Sequence, residues 1–259
     1  MKLRYRFAML PMVGAALLAG CAVYVPTVPS TPLVTKGGAV EVTAAVRGLS
    51  SLEAGAAWSP AAQVVVTGET ALQVSNGSET ANGTTYQYTN VHKQACMGLG
   101  TYRLVGAAQS VYLGAIGGFG LAQANVYDPH ADYLIVPLFG KPPTTYFEAI
   151  YQRYYGQFYL AQLGEVVSYG ASIRGTFVHY SQLQRDGKAI ASPTNFFFEP
   201  TLFLRAGRGP LQFQSTLGFS IPTHVDSENE NRRNLSPMSV LVSAGVVLRP
   251  QLLWHRDAD

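Results

Sequence analysis

From residue 39 onward, the chain alternates apolar residues with small or polar ones, which is the two-residue period of a β-strand. The clearest segment is 211–219, where Leu211, Phe213, Leu217 and Phe219 share one face and Gln, Thr and Gly residues share the other. No long apolar stripe with the 3.6-residue period of a helix interrupts this pattern. The pattern therefore predicts an all-β fold. We place about ten strands, within a range of eight to twelve, at 39–47, 52–59, 63–74, 93–104, 109–126, 146–162, 166–181, 195–205, 210–221 and 237–249.

The predicted connections alternate in length after the first pair of strands. Short turns at 59–62, 105–108, 163–165 and 206–209 alternate with long polar segments at 75–92, 127–145, 182–194 and 222–236. An even number of strands, with short turns at one end and long loops at the other, is typical of bacterial outer-membrane barrels. We therefore predict an antiparallel up-and-down transmembrane β-barrel over 39–250. Its long segments face the cell exterior, where they are available to a surface ligand or protein.

Two other architectures use the same apolar residues. The uncharged run 104–127 has the length of a transmembrane helix, but its many glycines and polar residues disfavour a helix and suit two strands joined at 105–108. A soluble β-sandwich or a lipocalin-like barrel also alternates, but it turns its apolar face inward. The low charged fraction of 13% and the aromatic-rich faces favour contact with lipid.

The first 21 residues have the organisation of a bacterial lipoprotein signal. Positive charges at the start precede an apolar stretch at 7–18, which is too short to span a bilayer. The Leu-Ala-Gly-Cys sequence that ends at Cys21 resembles the lipobox of bacterial lipoproteins, in which the cysteine is acylated and becomes the new N-terminus. The resemblance implies a signal peptide over 1–20 and a lipid anchor on Cys21. That anchor carries several acyl chains, including an amide-linked one such as palmitate, and several chains give stable attachment.

Residues 21–38 contain prolines at 26, 29 and 32 among Val, Thr and Ser, so we expect an extended periplasmic tether without a packed core. Ala22 is not the aspartate associated with inner-membrane retention in enteric bacteria, and no acidic cluster of the kind linked to surface export follows it. By resemblance, these features imply the periplasmic face of the outer membrane. The tether then enters the barrel from the short-turn end. We expect both termini, including a tail at 251–259, to be periplasmic.

Part of the barrel also resembles a known family. The lipobox, the segment 53–68 (EAGAAWSPAAQVVVTG) and the later strand with Tyr154-Tyr155-Gly156 are similar to outer-membrane β-barrel proteins of Bacteroidota-like bacteria. The resemblance covers most of 39–249. It implies the barrel fold and the outer-membrane compartment, and it brings no catalytic residues.

Strand parity points a set of opposite charges inward if the apolar positions face lipid. The predicted mid-height belt consists of Glu69, Arg153, Arg174 and Glu199, with Gln157, Thr176 and Gln214, and the secondary lumen residues are Glu41, Arg47, Glu53 and Arg205. A barrel of about ten strands needs polar filling, yet it is too narrow for an open porin channel. We therefore predict a lumen that is filled, charge-paired and shut, with a narrow pore or a ligand pocket as alternatives.

The sequence contains few recognisable catalytic or ligand-binding motifs. Its histidines lack the spacing of a metal site, no nucleotide loop is present, and we predict no metal and no cofactor. Cys96 is interpreted as a small packing residue, because Cys21 is committed to the anchor. His179 and Ser181 share a strand face near the exterior, as an outer-membrane acyl-hydrolase would require, but this spacing is common.

Composition excludes other roles. A net charge of +3 without a long basic run argues against nucleic acid as a partner, and a hydrophobic content of 47% argues against a disordered chain. We therefore predict a lipid-anchored outer-membrane β-barrel of structural or binding character, in contact with outer-membrane lipid and without enzymatic activity. The alternatives are a narrow transport pore and a lipid-modifying enzyme.

Overall fold

The computed structural model describes residues 23–48, 50–81, 84–127, 146–192, 194–223, 235 and 238–253. The predicted signal peptide, Cys21, most of the segments 127–145 and 222–236, and the last six residues lie outside the described residues.

Within the described residues the fold is all-β, with eleven antiparallel strands. They are β1 Val40–Arg47, β2 Ser51–Trp58, β3 Val64–Ala81, β4 Thr84–Val105, β5 Val111–Tyr127, β6 Tyr146–Gln162, β7 Val167–Arg185, β8 Lys188–Ala189, β9 Thr194–Ala206, β10 Leu211–Pro222 and β11 Ser239–Leu248. Short 3₁₀ turns follow β4 at Ala107–Gln109 and β11 at Pro250–Leu252. Among these described residues, no helix is long and apolar enough to cross a membrane.

The long strands form a closed ring in which neighbours along the chain are neighbours in the sheet. β7 pairs directly with β9, while the two-residue β8 between them in sequence pairs only with the end of β7. The ring is closed where β1 pairs with β11, from Val42 opposite Leu248 to Arg47 opposite Ser243. The predicted antiparallel up-and-down barrel is therefore confirmed, with ten long strands in the described part of the chain. We call the end with the turns 59–63, 106–110, 163–166 and 207–210 the short-turn end, and the opposite end the long-connection end.

The segment 75–92 differs from its prediction as a polar loop. β3 and β4 remain paired up to Ala81 opposite Thr84, so the segment is a β-hairpin. Its neighbours stop earlier: β2 pairs with β3 as far as Gln73, and β5 pairs with β4 as far as Val91. The hairpin therefore extends beyond the barrel wall at the long-connection end. Sequence reasoning missed it because polar side chains on both faces remove the alternation that marks a strand.

The glycine-rich run 104–127, which has the length of a membrane helix, forms the end of β4, a turn and β5. Gly114 and Gly118 point into the barrel, and a Cβ atom at either position would lie 2.2 to 2.3 Å from the ring of Tyr159 or Tyr155 on β6. Because only glycine leaves this space, the two tyrosine rings lie flat across β5. The glycines therefore fit the strand interpretation.

The two faces of the barrel wall have opposite character. Each long strand in the described residues exposes a large apolar side chain on the outer face, namely Val42, Leu52, Val66, Leu99, Leu121, Phe158, Ile173, Leu202, Leu217 and Val246 in chain order. Charged and polar side chains occupy the inner face, as the parity of the strands predicted. The wall is thus apolar outside and polar inside.

Residues 23–34 lie inside the barrel, which corrects the prediction of a free tether. Val23 and Tyr24 are buried in an apolar cluster with Ala124, Tyr180 and Phe197 at the long-connection end. Leu33 and Val34 are buried in a second cluster at the short-turn end, with Tyr102, Tyr112 and Phe203 among its members. A linker in water would bury neither end, so this segment belongs to the core of the barrel.

The described chain therefore starts and stops at opposite ends of the barrel. Val23 lies at the long-connection end, whereas the turn that follows β11 lies at the short-turn end, where Arg249 N–H donates to the Pro210 carbonyl over 2.7 Å. Cys21 and residues 254–259, on which the expectation of two periplasmic termini depends, lie outside the described residues.

Candidate functional site: a lumen filled by residues 23–34

The lumen is filled by an extended segment of the chain, residues 23–34, which we call the plug. The plug descends from the long-connection end to the short-turn end. It then turns at 35–38, where Ala39 N–H donates to the Lys36 carbonyl over 3.2 Å, and continues into β1. It forms no strand and pairs with none of the described strands as part of the sheet. The wall therefore holds the plug through side chains.

Carboxylates of the wall accept hydrogen bonds from the plug backbone. Val28 N–H donates to Glu53 over 3.3 Å, Ser30 N–H donates to Glu69 over 3.2 Å, and Leu33 N–H donates to Glu41 over 3.0 Å. The acceptors are predicted lumen residues. Each carboxylate thus satisfies a backbone donor that would otherwise be buried without a partner.

Donor side chains of the wall bind the carbonyl groups of the plug. The contacts run from Gln94 to the Val25 carbonyl at 3.2 Å, from Arg174 to that of Thr27, from Gln157 to that of Ser30 at 2.6 Å, from Arg205 to that of Thr31 at 2.7 Å, and from Tyr159 to that of Pro32 at 3.0 Å. These contacts span most of the length of the plug. The wall therefore recognises the peptide backbone.

The prolines at 26, 29 and 32 help the plug to be buried. Proline has no backbone N–H, so these positions bring no donor that the lumen must satisfy. All three are buried. The residue before a proline also favours an extended conformation, which a straight passage through the barrel requires.

Arg174 and Glu199 form the centre of the site. They are opposite each other on β7 and β9, neither is exposed, and Arg174 Nε lies 2.7 Å from Glu199 Oε2. The same carboxylate accepts hydrogen bonds from the hydroxyl groups of Tyr24, Thr176 and Ser220 over 2.8 to 3.0 Å. A buried charge needs an ion pair and further hydrogen bonds, and this carboxylate has both.

The structure divides the charged residues of the predicted belt into a group of three and a separate Arg153. Glu69 joins Arg174 and Glu199, with 3.7 Å between Arg174 Nη1 and Glu69 Oε2. Arg153 makes other contacts: its guanidinium donates to Gln94 and to Thr27 Oγ1, and it lies 5.6 Å from the ring centroid of Tyr24. Arg153 therefore binds the plug and a wall amide.

The secondary lumen residues form two further clusters. Arg47 Nε lies 2.7 Å from Glu53 at the long-connection end of β1 and β2. Glu41 pairs with Arg205 at 2.9 Å and with Arg249 at 2.8 Å near the short-turn end. Arg249 was not among the predicted lumen residues, and it directly follows β11, which ends at Leu248.

A small polar cavity remains beside the plug. It has a volume of about 50 Å³ and lies against β1, β2 and β3, with Glu53, Glu69 and Thr31 among its lining residues. Thr31 Oγ1 and Glu69 Oε2 are buried and have no protein hydrogen-bond partner. A cavity of this size accommodates a few water molecules, which are the expected partners of such atoms.

Sequence reasoning missed the plug side chains that complete the site, above all Tyr24 and Thr27. The composition of the plug itself indicates that it is buried. Residues 23–34 contain Val, Tyr and Leu and no charge, whereas a linker in water is normally polar. An uncharged, proline-spaced segment next to a barrel with many inward charges is therefore a candidate lumen filler.

The other candidate residues lie apart from the plug or serve packing. His179 and Ser181 lie on the outer face, and the Ser181 hydroxyl donates to the Ile150 carbonyl over 3.0 Å. Cys96 is a buried free cysteine on the inner face of β4, next to Gly120 of β5. Among the described residues, no group of three or more His, Cys, Asp or Glu side chains could hold a metal ion.

No protein-family model matches the chain, and no curated protein matches it.

Proposed function

We propose that the protein is a lipid-anchored outer-membrane β-barrel of structural or binding character, whose lumen is kept closed by its own plug. The observation that carries the proposal is the network of hydrogen bonds between wall side chains and the plug backbone, from Gln94 at Val25 to Tyr159 at Pro32. A channel that is open at rest would instead leave the axis of the barrel to water.

The outer face supports a membrane location. On β4 two outward charges, Lys93 and Arg103, lie on either side of outward Ala95, Met97, Leu99 and Thr101, and Met97 is 68% exposed. Ten residues of strand measure about 33 Å, and a tilt of about 40° reduces this to about 25 Å along the barrel axis. That height equals the apolar band of about 25 Å that outer-membrane barrels present to lipid.

The narrow pore and the closed barrel make different predictions for conductance. The refolded wild-type protein in a planar bilayer should not conduct, because the plug and the paired charges occupy the lumen. Steady conductance by the wild-type protein would contradict the closed barrel and favour the pore. The same preparation should show heat-modifiable mobility on a gel, and in cells the protein should fractionate with the outer membrane.

The plug also bears on where the acyl anchor lies. Cys21 is two residues from Val23, so their backbones are at most about 7 Å apart. Val23 lies at the long-connection end, which faces the exterior in outer-membrane barrels. We therefore place the acylated Cys21 in the outer leaflet, at the cell surface, instead of in the periplasmic leaflet expected from the sequence.

The anchor can be tested by metabolic labelling with a fatty-acid analogue. The wild-type protein should be labelled, and Cys21→Ala should not. An epitope inserted between Ala22 and Val23 should bind antibody on intact cells. Labelling of Cys21→Ala would contradict acylation at this residue, and antibody binding only after permeabilisation would contradict the outer leaflet.

Sidedness of the barrel is tested separately with cysteines in a Cys96→Ala background. Ser78→Cys lies in the projecting hairpin, and Arg208→Cys lies in a short turn, where the native side chain is 73% exposed. An impermeant maleimide on whole cells should label Ser78→Cys and spare Arg208→Cys. The reverse pattern would mean that the barrel is inverted.

A further inference from the structure

The plug occupies the barrel in the way that a ligand occupies a receptor. The ring of strands is closed by the pairing of β1 with β11, and the plug adds no strand to it. All hydrogen bonds described above between plug and wall involve a wall side chain. The backbone pairing of the sheet is therefore complete without the plug.

The recognition depends mainly on the backbone of the plug. Carboxylates receive the N–H groups of Val28, Ser30 and Leu33, and amide, guanidinium and phenol groups bind the carbonyls between Val25 and Pro32. Tyr24 and Thr27 add contacts through their own hydroxyl groups. Such a site selects for an extended shape and for the positions of backbone donors, and it tolerates changes in many side chains.

Three ion pairs of the lumen form between wall residues, independently of the plug. Arg174 with Glu199, Arg205 with Glu41, and Arg47 with Glu53 are contacts between wall residues at 2.7 to 2.9 Å. Removal of the plug would expose these pairs to water without leaving them unmatched. An emptied lumen is therefore a polar groove with three ion pairs in place, and it can bind again.

The link between plug and wall is accessible. Residues 35–38 are exposed, whereas residues 31–34 on one side and Ala39 on the other are buried. Cleavage in this link would convert the plug into a separate bound peptide without changing any residue of the barrel.

We propose that the lumen is a binding site for an extended, proline-containing peptide, that residues 23–34 are its internal occupant, and that a peptide from another chain replaces them once the link is cut. This inference rests on the proposed closed barrel and adds a class of ligand to it. The ligand must offer backbone N–H groups at the positions of residues 28, 30 and 33, and it has prolines at other positions.

The test uses the full chain with a specific protease site inserted between Thr35 and Lys36, folded before cleavage so that the barrel forms with its plug in place. After cleavage, a fluorescent peptide of residues 23–35 is added in excess. The cleaved protein should release its own N-terminal piece and bind the labelled peptide saturably, and unlabelled peptide should compete. The uncut protein should not bind the labelled peptide.

Matched peptides separate recognition of the backbone from recognition of side chains. Val28→Ala with Ser30→Ala keeps both N–H groups, whereas Val28→Pro with Ser30→Pro removes both. The alanine peptide should bind within about threefold of the native peptide, and the proline peptide should bind at least about tenfold more weakly, because each lost bond involves a charged acceptor.

Different experimental results would overturn the peptide site and the closed barrel. Absence of exchange in the cleaved barrel, or equal binding of the alanine and proline peptides, would overturn the peptide site. Conductance by the uncut wild-type protein would overturn the closed barrel.

Discussion

At the residue scale, the Arg174 and Glu199 pair has the greatest consequence for stability. Neither side chain is exposed, so loss of one partner leaves a buried charge without its counter-ion. Arg174→Met alone should destabilise the barrel by about 3–5 kcal/mol, and adding Glu199→Gln should recover part of that loss. The measurement is the temperature at which the heat-modifiable band disappears.

Arg208→Met is the control for this pair. Arg208 is largely exposed, and its nearest carboxylate, on Glu165, is 4.0 Å away. Its removal should leave the melting temperature almost unchanged, because exposed ion pairs contribute little. If Arg174→Met behaved like this control, the lumen would be a water-filled pore in which charges are screened.

A second residue-scale prediction concerns the glycines that make room for tyrosine rings. Gly114→Ala places a Cβ atom 2.2 Å from Cζ of Tyr159, whose hydroxyl binds the plug at Pro32. We expect a loss of about 1–3 kcal/mol in unfolding free energy from overpacking. Gly156→Ala is the matched control, since nothing lies within 4 Å of its added Cβ. Equal melting of the two variants would contradict the tight contact at Gly114.

At the element scale, the hairpin of β3 and β4 is separable from the barrel. Beyond Gln73 and Val91 neither β2 nor β5 pairs with it. Deleting residues 78–87 and joining Gly77 to Tyr88 through Asn-Gly, which favours a tight hairpin turn, should change the unfolding free energy by less than about 0.5 kcal/mol. Loss of the folded band in a heat-modifiability gel would show that the hairpin is part of the barrel core.

Element boundaries were predictable wherever one face of a strand is apolar. β6 spans the predicted residues 146–162, and β5 begins and ends within two residues of its prediction. The inward parity of Arg174 and Glu199 also followed from alternation, since a strand with one apolar face has a fixed inner face. Local periodicity therefore decides both the strands and the direction of their side chains.

The plug was not predictable from periodicity because its contacts are long-range and irregular. Tyr24 donates to Glu199, which is 175 residues away, and the plug has neither strand pairing nor alternation. Prolines at 26, 29 and 32 indicate an extended chain in water as well as in a lumen. The absence of charge in residues 23–34 favours the lumen, and the three-dimensional ring of inward donors and acceptors then determines the path of the plug.

At the scale of the whole molecule, two leucines on β10 can test whether the outer face contacts lipid. Leu217 and Leu211 are similarly exposed, at 50% and 56%, but Leu217 lies at mid-strand and Leu211 at the short-turn end. In lipid, Leu217→Lys should destabilise the barrel by about 2–4 kcal/mol and Leu211→Lys by at most about 1 kcal/mol. The measurement is urea unfolding in vesicles. Equal, small effects would favour a soluble barrel.

The closed ring and its plug also have a topological consequence. In the proposed acylated form the molecule is a rotaxane, which is an axle threaded through a ring. Residues 23–34 are the axle, the strands are the ring, and the acyl chains on Cys21 are an apolar stopper that the polar lumen would exclude. The other end of the axle is continuous with the ring through residues 35–39. Breaking every hydrogen bond of the axle would still not release it. Release requires the β1 and β11 seam to open or the backbone to be cut, so the threaded state is preserved by mechanical linkage and its lifetime is set by that seam.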